Sequence, residues 1–97
     1  MSNLNEHTAS HLADLFGTLS DPSRLRIIDA LLDCERSVGE IAGMLGMTES
    51  AVSHQLKRLR VMRLVRVRKE GRMVFYCLDD DHVTRLFKMG LDHVEHG

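Results

Sequence analysis

Residues 37–60 read SVGEIAGMLGMTESAVSHQLKRLR. Ser37 with Glu40 three positions later has the form of a capping box, so a helix opens here and carries Ile41, Met44 and Leu45. Gly46 stops it. Thr48 is a further N-cap, and Val52, Leu56 and Leu59 then recur at helical spacing to about Met62. Two short helices joined by the tight turn Leu45-Gly46-Met47-Thr48 predict a helix-turn-helix over residues 37–62, whose second helix has the shape to enter a DNA major groove. Its outward side carries Ser50, Ser53, His54 and Gln55, hydroxyls, an imidazole and an amide that reach base edges or phosphates.

Downstream of this pair the helical spacing gives way to alternation. Val65 and Val67 are followed by a Lys69-Glu70-Gly71-Arg72 turn and then by Val74, Tyr76 and Leu78, which predicts a β-hairpin wing over residues 64–78. Asp79 or Asp80 then caps a closing helix, expected over residues 80–96, with Val83, Leu86, Phe87, Gly90, Leu91 and Val94 in its apolar stripe. Upstream, Leu12, Leu15, Phe16 and Leu19 predict a first helix from Thr8 to Leu19, leaving residues 1–7 as a flexible tail. Asp21 reads as an N-cap with Pro22 in the first helical position, and Leu25, Ile27, Ile28, Leu31 and Leu32 carry a second helix toward Asp33. The fold class expected is mainly α (α+β): one winged helix-turn-helix domain over 1–97, five helices with a two-stranded wing between the fourth and the fifth.

The charge is polarised although the net value is only −1. Eight of the thirteen Lys and Arg residues (Lys57, Arg58, Arg60, Arg63, Arg66, Arg68, Lys69 and Arg72) fall within residues 57–72, beside the single acid Glu70. A basic block at the end of a helix-turn-helix and along a hairpin points to a polyanion held by one face, with Lys57, Arg58, Arg66, Arg68, Lys69 and Arg72 following the phosphate backbone. With 97 residues, three Phe, one Tyr and no Trp, the core rests on Leu, Ile, Val and Met. A chain this short is marginal alone, which makes partner chains plausible. No apolar run approaches the ~18 residues of a membrane span and residues 1–20 do not resemble a secretory leader, so a cytoplasmic protein without a membrane partner is expected. Cys34 and Cys77 do not suggest a disulfide framework, in agreement with a reducing compartment.

The runs LSDPSRLRII (19–28) and SAVSHQLKRLR (50–60), and the wing LVRVRKEGR (64–72) followed by Tyr76, resemble the ArsR/SmtB family of bacterial winged-helix metalloregulators. The resemblance covers about Leu12 to His96. It implies a homodimer joined through the first and last helices that represses a metal-efflux or metal-resistance operon and leaves a palindromic operator when its inducer binds. It also implies that Ser50, Ser53 and His54 contact DNA. Two positions depart from the family pattern: Glu49, where many relatives carry Gln, and Ala51, which offers no side-chain hydrogen bond. Glu49 instead suits the positive end of the helix.

The last helix adds Asp80, His82, His93 and His96, all capable of holding a transition metal. His93 and His96 share one helix face. His82 lies eleven residues before His93, roughly 16 Å along the axis, so one helix cannot close a four-ligand site around one ion. Two antiparallel copies can, with Asp80 and His82 of one protomer meeting His93 and His96 of its partner. Three imidazoles and a carboxylate suit tetrahedral Zn²⁺, with Co²⁺ as a substitute, and the spacing resembles that of the zinc- and cobalt-responsive branch of the family. His7 and His11, one turn apart, would extend the set toward Ni²⁺. Asp79 or Asp81 remains open as the carboxylate or the cap. Ser37 and Gly39 stand where soft-metal sensors of the family carry cysteines, and Cys77 alternates with apolar wing positions as a small hydrophobe would. The second reading is a constitutive or redox-responsive DNA-binding regulator with a vestigial metal site. An enzyme with a small organic substrate is not expected, because four protein ligands leave no open metal position.

Overall fold

Every helix of the chain begins on a side chain that accepts from an amide the helix itself leaves unsatisfied. The computed structural model describes residues 3–97. Helix α1 (Glu6–Thr18) starts on Asn5, whose Oδ1 accepts from the Thr8 amide at 2.8 Å. Helix α2 (Pro22–Ala30) starts on Asp21, which accepts from the Arg24 amide at 3.1 Å. Helix α3 (Val38–Leu45) has both halves of the capping box: the Glu40 amide donates to Ser37 Oγ at 3.2 Å and the Ser37 amide to Glu40 Oε1 at 2.9 Å. Thr48 opens α4 (Glu49–Val61), accepting from the Ala51 amide at 3.1 Å, and Asp80 opens α5 (Asp81–His96). Replacing Thr48 by Ala should lower stability by about 1 kcal/mol. Thermal unfolding would read this as a melting point lower by roughly 4–8 °C, largely restored in Thr48→Ser.

Two boundaries differ from those the apolar pattern predicts. Helix α1 begins at Glu6, two residues before Thr8, because the Asn5 cap lies outside the apolar spacing. Helix α2 stops at Ala30 although Leu31 and Leu32 prolong the apolar run. The Leu31 amide donates to Ile28 O at 3.0 Å and the Leu32 amide to Asp29 O at 3.2 Å, tightening the last turn out of the α pattern.

Helices α3 and α4 end in the same closing turn. After α3, Gly46 has φ 66° and the Met47 amide returns to Ala42 O at 3.1 Å. After α4, Arg63 takes φ 60° in the equivalent place while the Leu64 amide returns to Leu59 O at 2.9 Å. Strand β1 (Val65–Glu70) then pairs antiparallel with β2 (Met73–Leu78), Val65 opposite Leu78 and Glu70 opposite Met73. The connection is therefore the two residues Gly71 and Arg72, shorter than the four-residue turn the sequence predicts. Gly71 has φ 60° at the first loop position, where a tight hairpin favours glycine. Arg36 forms an additional antiparallel bridge to Tyr76, with amide-to-carbonyl distances of 2.9 and 2.8 Å, and anchors the wing to the segment before α3.

The core is one cluster of Ile27, Ile28 and Leu31, Ile41, Val52, Leu56 and Leu59, closed by Leu64, Val65 and Val83. It fixes α2, α3, α4 and the root of the wing against one another. The terminal helices contribute little to it: α1 has no buried residue and α5 only Val83. Between them runs an apolar groove of about 720 Å³, lined among others by Phe16, Leu25, Phe87, Leu91 and Val94. Leu15, Leu19, Val83 and Phe87 reach the core, but Phe16 is 51% and Val94 82% exposed, so the outer part of each stripe is left uncovered by the described residues. No helix among the described residues is long and apolar enough to cross a membrane.

Candidate nucleic-acid interface and metal ligands

The packing of Val52, Leu56 and Leu59 into the core decides which side of α4 faces out. Ser50, Ser53, His54, Lys57 and Arg58 are all exposed on it. Glu49 sits in the first turn, where its charge complements the helix dipole. Gln55 differs from the other polar residues assigned to this face: it is half-buried, and its Oε1 accepts from Arg24 Nε at 2.8 Å.

The wing presents Arg66, Arg68, Lys69 and Arg72 as exposed residues, in two electrostatic situations. Among the described residues, Lys69 and Arg72 have no ion pair. Arg68 is engaged on three sides: its Nε lies 2.9 Å from Glu35 Oε2, its Nη1 2.7 Å from Glu70 Oε2, and its guanidinium stands 4.9 Å from the Phe75 ring centre. The hydrogen bond from Arg68 holds the Glu35 carboxyl below the ordinary glutamate range, and the same bond raises the Arg68 guanidinium further. Glu35 therefore carries its charge at neutral pH and releases Arg68 only in acid. Arg66 Nε donates to Cys77 Sγ at 3.3 Å, so Cys77 is half-exposed beside a cation and is not the buried apolar residue the alternation predicts. Cys34 is exposed.

The candidate metal ligands lie at opposite ends of α5. Asp80 is the N-cap: its Oδ1 accepts from the His82 amide at 2.9 Å and the Val83 amide at 3.3 Å, and its Oδ2 lies 3.4 Å from His82 Nδ1. Partial desolvation pushes this carboxyl up, but hydrogen bonds from Val83 and His82 outweigh it and hold Asp80 below the ordinary aspartate range. Asp80 thus takes the capping role that sequence leaves open between Asp79, Asp80 and Asp81, and it keeps Oδ2 on the His82 side. His93 and His96 occupy the last turn, with His96 Nδ1 3.0 Å from Asp92 Oδ1. All four side chains are exposed, and no three His, Cys, Asp or Glu residues among the described residues gather around one point in the single chain. The donor set fits a borderline cation only if the two ends of α5 are brought together by another copy. His7 and His11 lie one turn apart on α1, with ring centres 4.4 Å apart and planes tilted by 45°.

Three site features escaped the sequence: Arg24, Glu35 and Arg36 each act through a partner distant along the chain. Gln55 and Glu35 lie 31 and 33 residues from Arg24 and Arg68. No local pattern marks such pairs.

Comparison with known proteins agrees with this architecture. Residues 21–67, from the α2 cap to the first wing strand, match the family described as bacterial regulatory protein, arsR family. The chain is 46% identical over 87 residues to the transcriptional repressor SmtB homolog of Synechocystis, covering 90% of this chain and 66% of that protein. It therefore spans slightly less than two thirds of that relative's length. It is 39% identical to the HTH-type transcriptional regulator NmtR of Mycobacterium tuberculosis, covering 96% of this chain and 78% of the relative. Among solved structures, the homodimeric winged helix-turn-helix DNA-binding domain Mb0332 of Mycobacterium bovis superposes with a TM-score of 0.83 at 31% identity, covering 100% of this chain and 96% of that one. Five capped helices, a two-stranded wing in the fourth gap, and identities sustained over nearly the whole chain place this protein in the arsR family of bacterial regulatory proteins.

Proposed function

We propose that the chain is a transcriptional repressor that binds operator DNA as a homodimer and leaves it when Zn²⁺, or Co²⁺ in its place, binds between protomers. The observation that carries this reading is the pairing of two features on one helix. Helix α5 holds its four candidate ligands at opposite ends, and beyond Val83 and Phe87 its apolar face, with Leu91 and Val94, is left uncovered by the described residues. An antiparallel second copy answers both, covering the groove and bringing Asp80 and His82 of one protomer to His93 and His96 of the other. When bound, the metal supplies a fixed cross-link between protomers. The chain's own residues do the rest: Asp80 ties ligand position to the start of α5, and Val83 ties α5 to the core beneath α4. The test uses a duplex selected by the protein from a random-sequence pool, titrated with protein at increasing Zn²⁺. Loss of affinity at one metal per protomer supports the reading; unchanged affinity removes it.

Within this reading, Ser50, Ser53 and His54 face bases or phosphates, and Lys57, Arg58, Arg66, Lys69 and Arg72 follow the backbone. Arg68 is partly withdrawn by Glu35. Glu35→Ala combined with Glu70→Ala removes both carboxylates that hold it and should raise DNA affinity, steepening the salt dependence by roughly 0.9 for each additional phosphate neutralised. A salt slope equal to that of the unaltered protein would show that Arg68 does not reach the DNA.

The redox-responsive alternative rests on Cys77, placed beside Arg66 in the basic wing. Peroxide and Zn²⁺ added separately to the DNA complex distinguish the two, since only one agent releases the duplex under each reading.

A further inference from the structure

Three helices meet on one side chain. Arg24, half-buried in α2, donates Nε to Gln55 Oε1 of α4 and Nη1 to the Thr18 carbonyl of α1, both at 2.8 Å. Its own amide is fixed to the Asp21 cap. Thr18 is the last residue of α1, so this carbonyl is one the helix cannot satisfy internally. A guanidinium is a planar fork with donors at set angles, and two acceptors on different helices fix those helices relative to each other. The tie matters here because α1 buries no residue and has little packing of its own to set its angle to α4.

The contact also bears on what Gln55 does. Arginine offers only donors, so the atom of Gln55 that faces it is the carbonyl oxygen. Reading adenine with a glutamine uses both amide atoms, the oxygen accepting and the nitrogen donating. Held toward Arg24 with its residue half-buried, the amide is oriented by α2 and is not free to turn both atoms to one base edge. We infer that Arg24 and Gln55 form a positioning pair for DNA binding, in which Gln55 acts as the acceptor that locks α4 to the end of α1 and does not read a base. This rests on the DNA-binding reading above.

The experiment measures affinity for the duplex that the unaltered protein selects from a random pool, with folding followed by circular dichroism. Gln55→Glu keeps the acceptor and strengthens it with charge, so affinity should stay within about threefold. Gln55→Leu removes the acceptor and should weaken binding about tenfold, by the same factor on duplexes substituted at each base pair. Arg24→Lys keeps the charge without the fork and should also weaken binding, and adding Gln55→Leu to it should cost little more, because both act on one link. Should Gln55→Leu fail to fold, Gln55→Glu and Arg24→Lys still decide the matter. A loss beyond tenfold in Gln55→Glu, or relaxed discrimination at one base pair in Gln55→Leu, would overturn the inference in favour of direct readout. Affinity unchanged in Gln55→Leu would overturn it and leave the DNA-binding reading standing. If the unaltered protein enriches no duplex, that reading fails and the inference falls with it.

Discussion

Zn²⁺ should leave the His93→Ala protein on its DNA. In the unaltered protein, metal is expected to reduce duplex affinity by a factor of roughly 5–150, the usual range of allosteric coupling. In the variant the ratio of affinities with and without metal should approach 1. The reason is geometric. His93 and His96 sit in the last turn of α5, Asp80 and His82 at its first, and neither pair alone closes a four-ligand site. Removing one imidazole from this set of three imidazoles and a carboxylate leaves it incomplete, and its occupation no longer constrains both protomers. By linkage, DNA should weaken metal binding in the unaltered protein by the same factor, which a competition titration with a chelating dye would measure. Ligation needs neutral imidazole, so protons compete with the metal, and the response should weaken as the solution is made more acidic. A His93→Ala protein that still releases DNA at one Zn²⁺ per protomer would place the sensing site elsewhere.

Leu91→Glu should turn the dimer into monomers. Leu91 is 40% exposed on α5 and lines the groove with Phe16 and Phe87. Burying a leucine completely contributes about 1.5–3 kcal/mol, so covering the 40% still exposed contributes roughly 0.6–1.2 kcal/mol, and a twofold interface counts it twice. Its loss alone should raise the dimer dissociation constant on the order of 10–50-fold, before the cost of placing a carboxylate there. Sedimentation velocity reads the mass, and duplex affinity should collapse in parallel because one protomer holds only a half-site. Met89→Glu is the control: Met89 is 72% exposed on the same helix but does not line the groove. A Leu91→Glu protein that sediments as a dimer would show that the groove is not the interface.

What sequence reveals here follows the range of the interaction concerned. The caps at Asp21, Ser37 and Thr48 and the stop at Gly46 involve residues within a turn or so of each other, and all are legible, as is the change from helical spacing to alternation after Leu64. The start of α1 is not, because between Asn5 and Leu12 only Ala9 is apolar, too little to announce a helix by its spacing. The end of α2 is misplaced by the apolar pattern because Leu31 belongs to the core, and burial does not stop where the helix does. The candidate site divides along the same line. Which residues line α4, the wing and α5 follows from period and charge. That Gln55 faces Arg24 and that Arg68 is held by Glu35 depends on how α2, α4 and the wing are stacked, which no local pattern encodes.

The turn between α4 and the wing sets a length as well as a direction. Met62, Arg63 and Leu64 are the only residues between helix and strand, and their amides return to Arg58, Arg60 and Leu59, while the Leu64 carbonyl receives the Asp79 amide. No backbone donor in the segment is left to accommodate slack. One inserted residue would open these bonds and shift Val65 out of phase, turning the buried face of β1 outward and its arginines inward. The join behaves as a ruler: the spacing from the exposed serines of α4 to the wing arginines is counted in residues, and substitutions here are tolerated far better than a change of chain length.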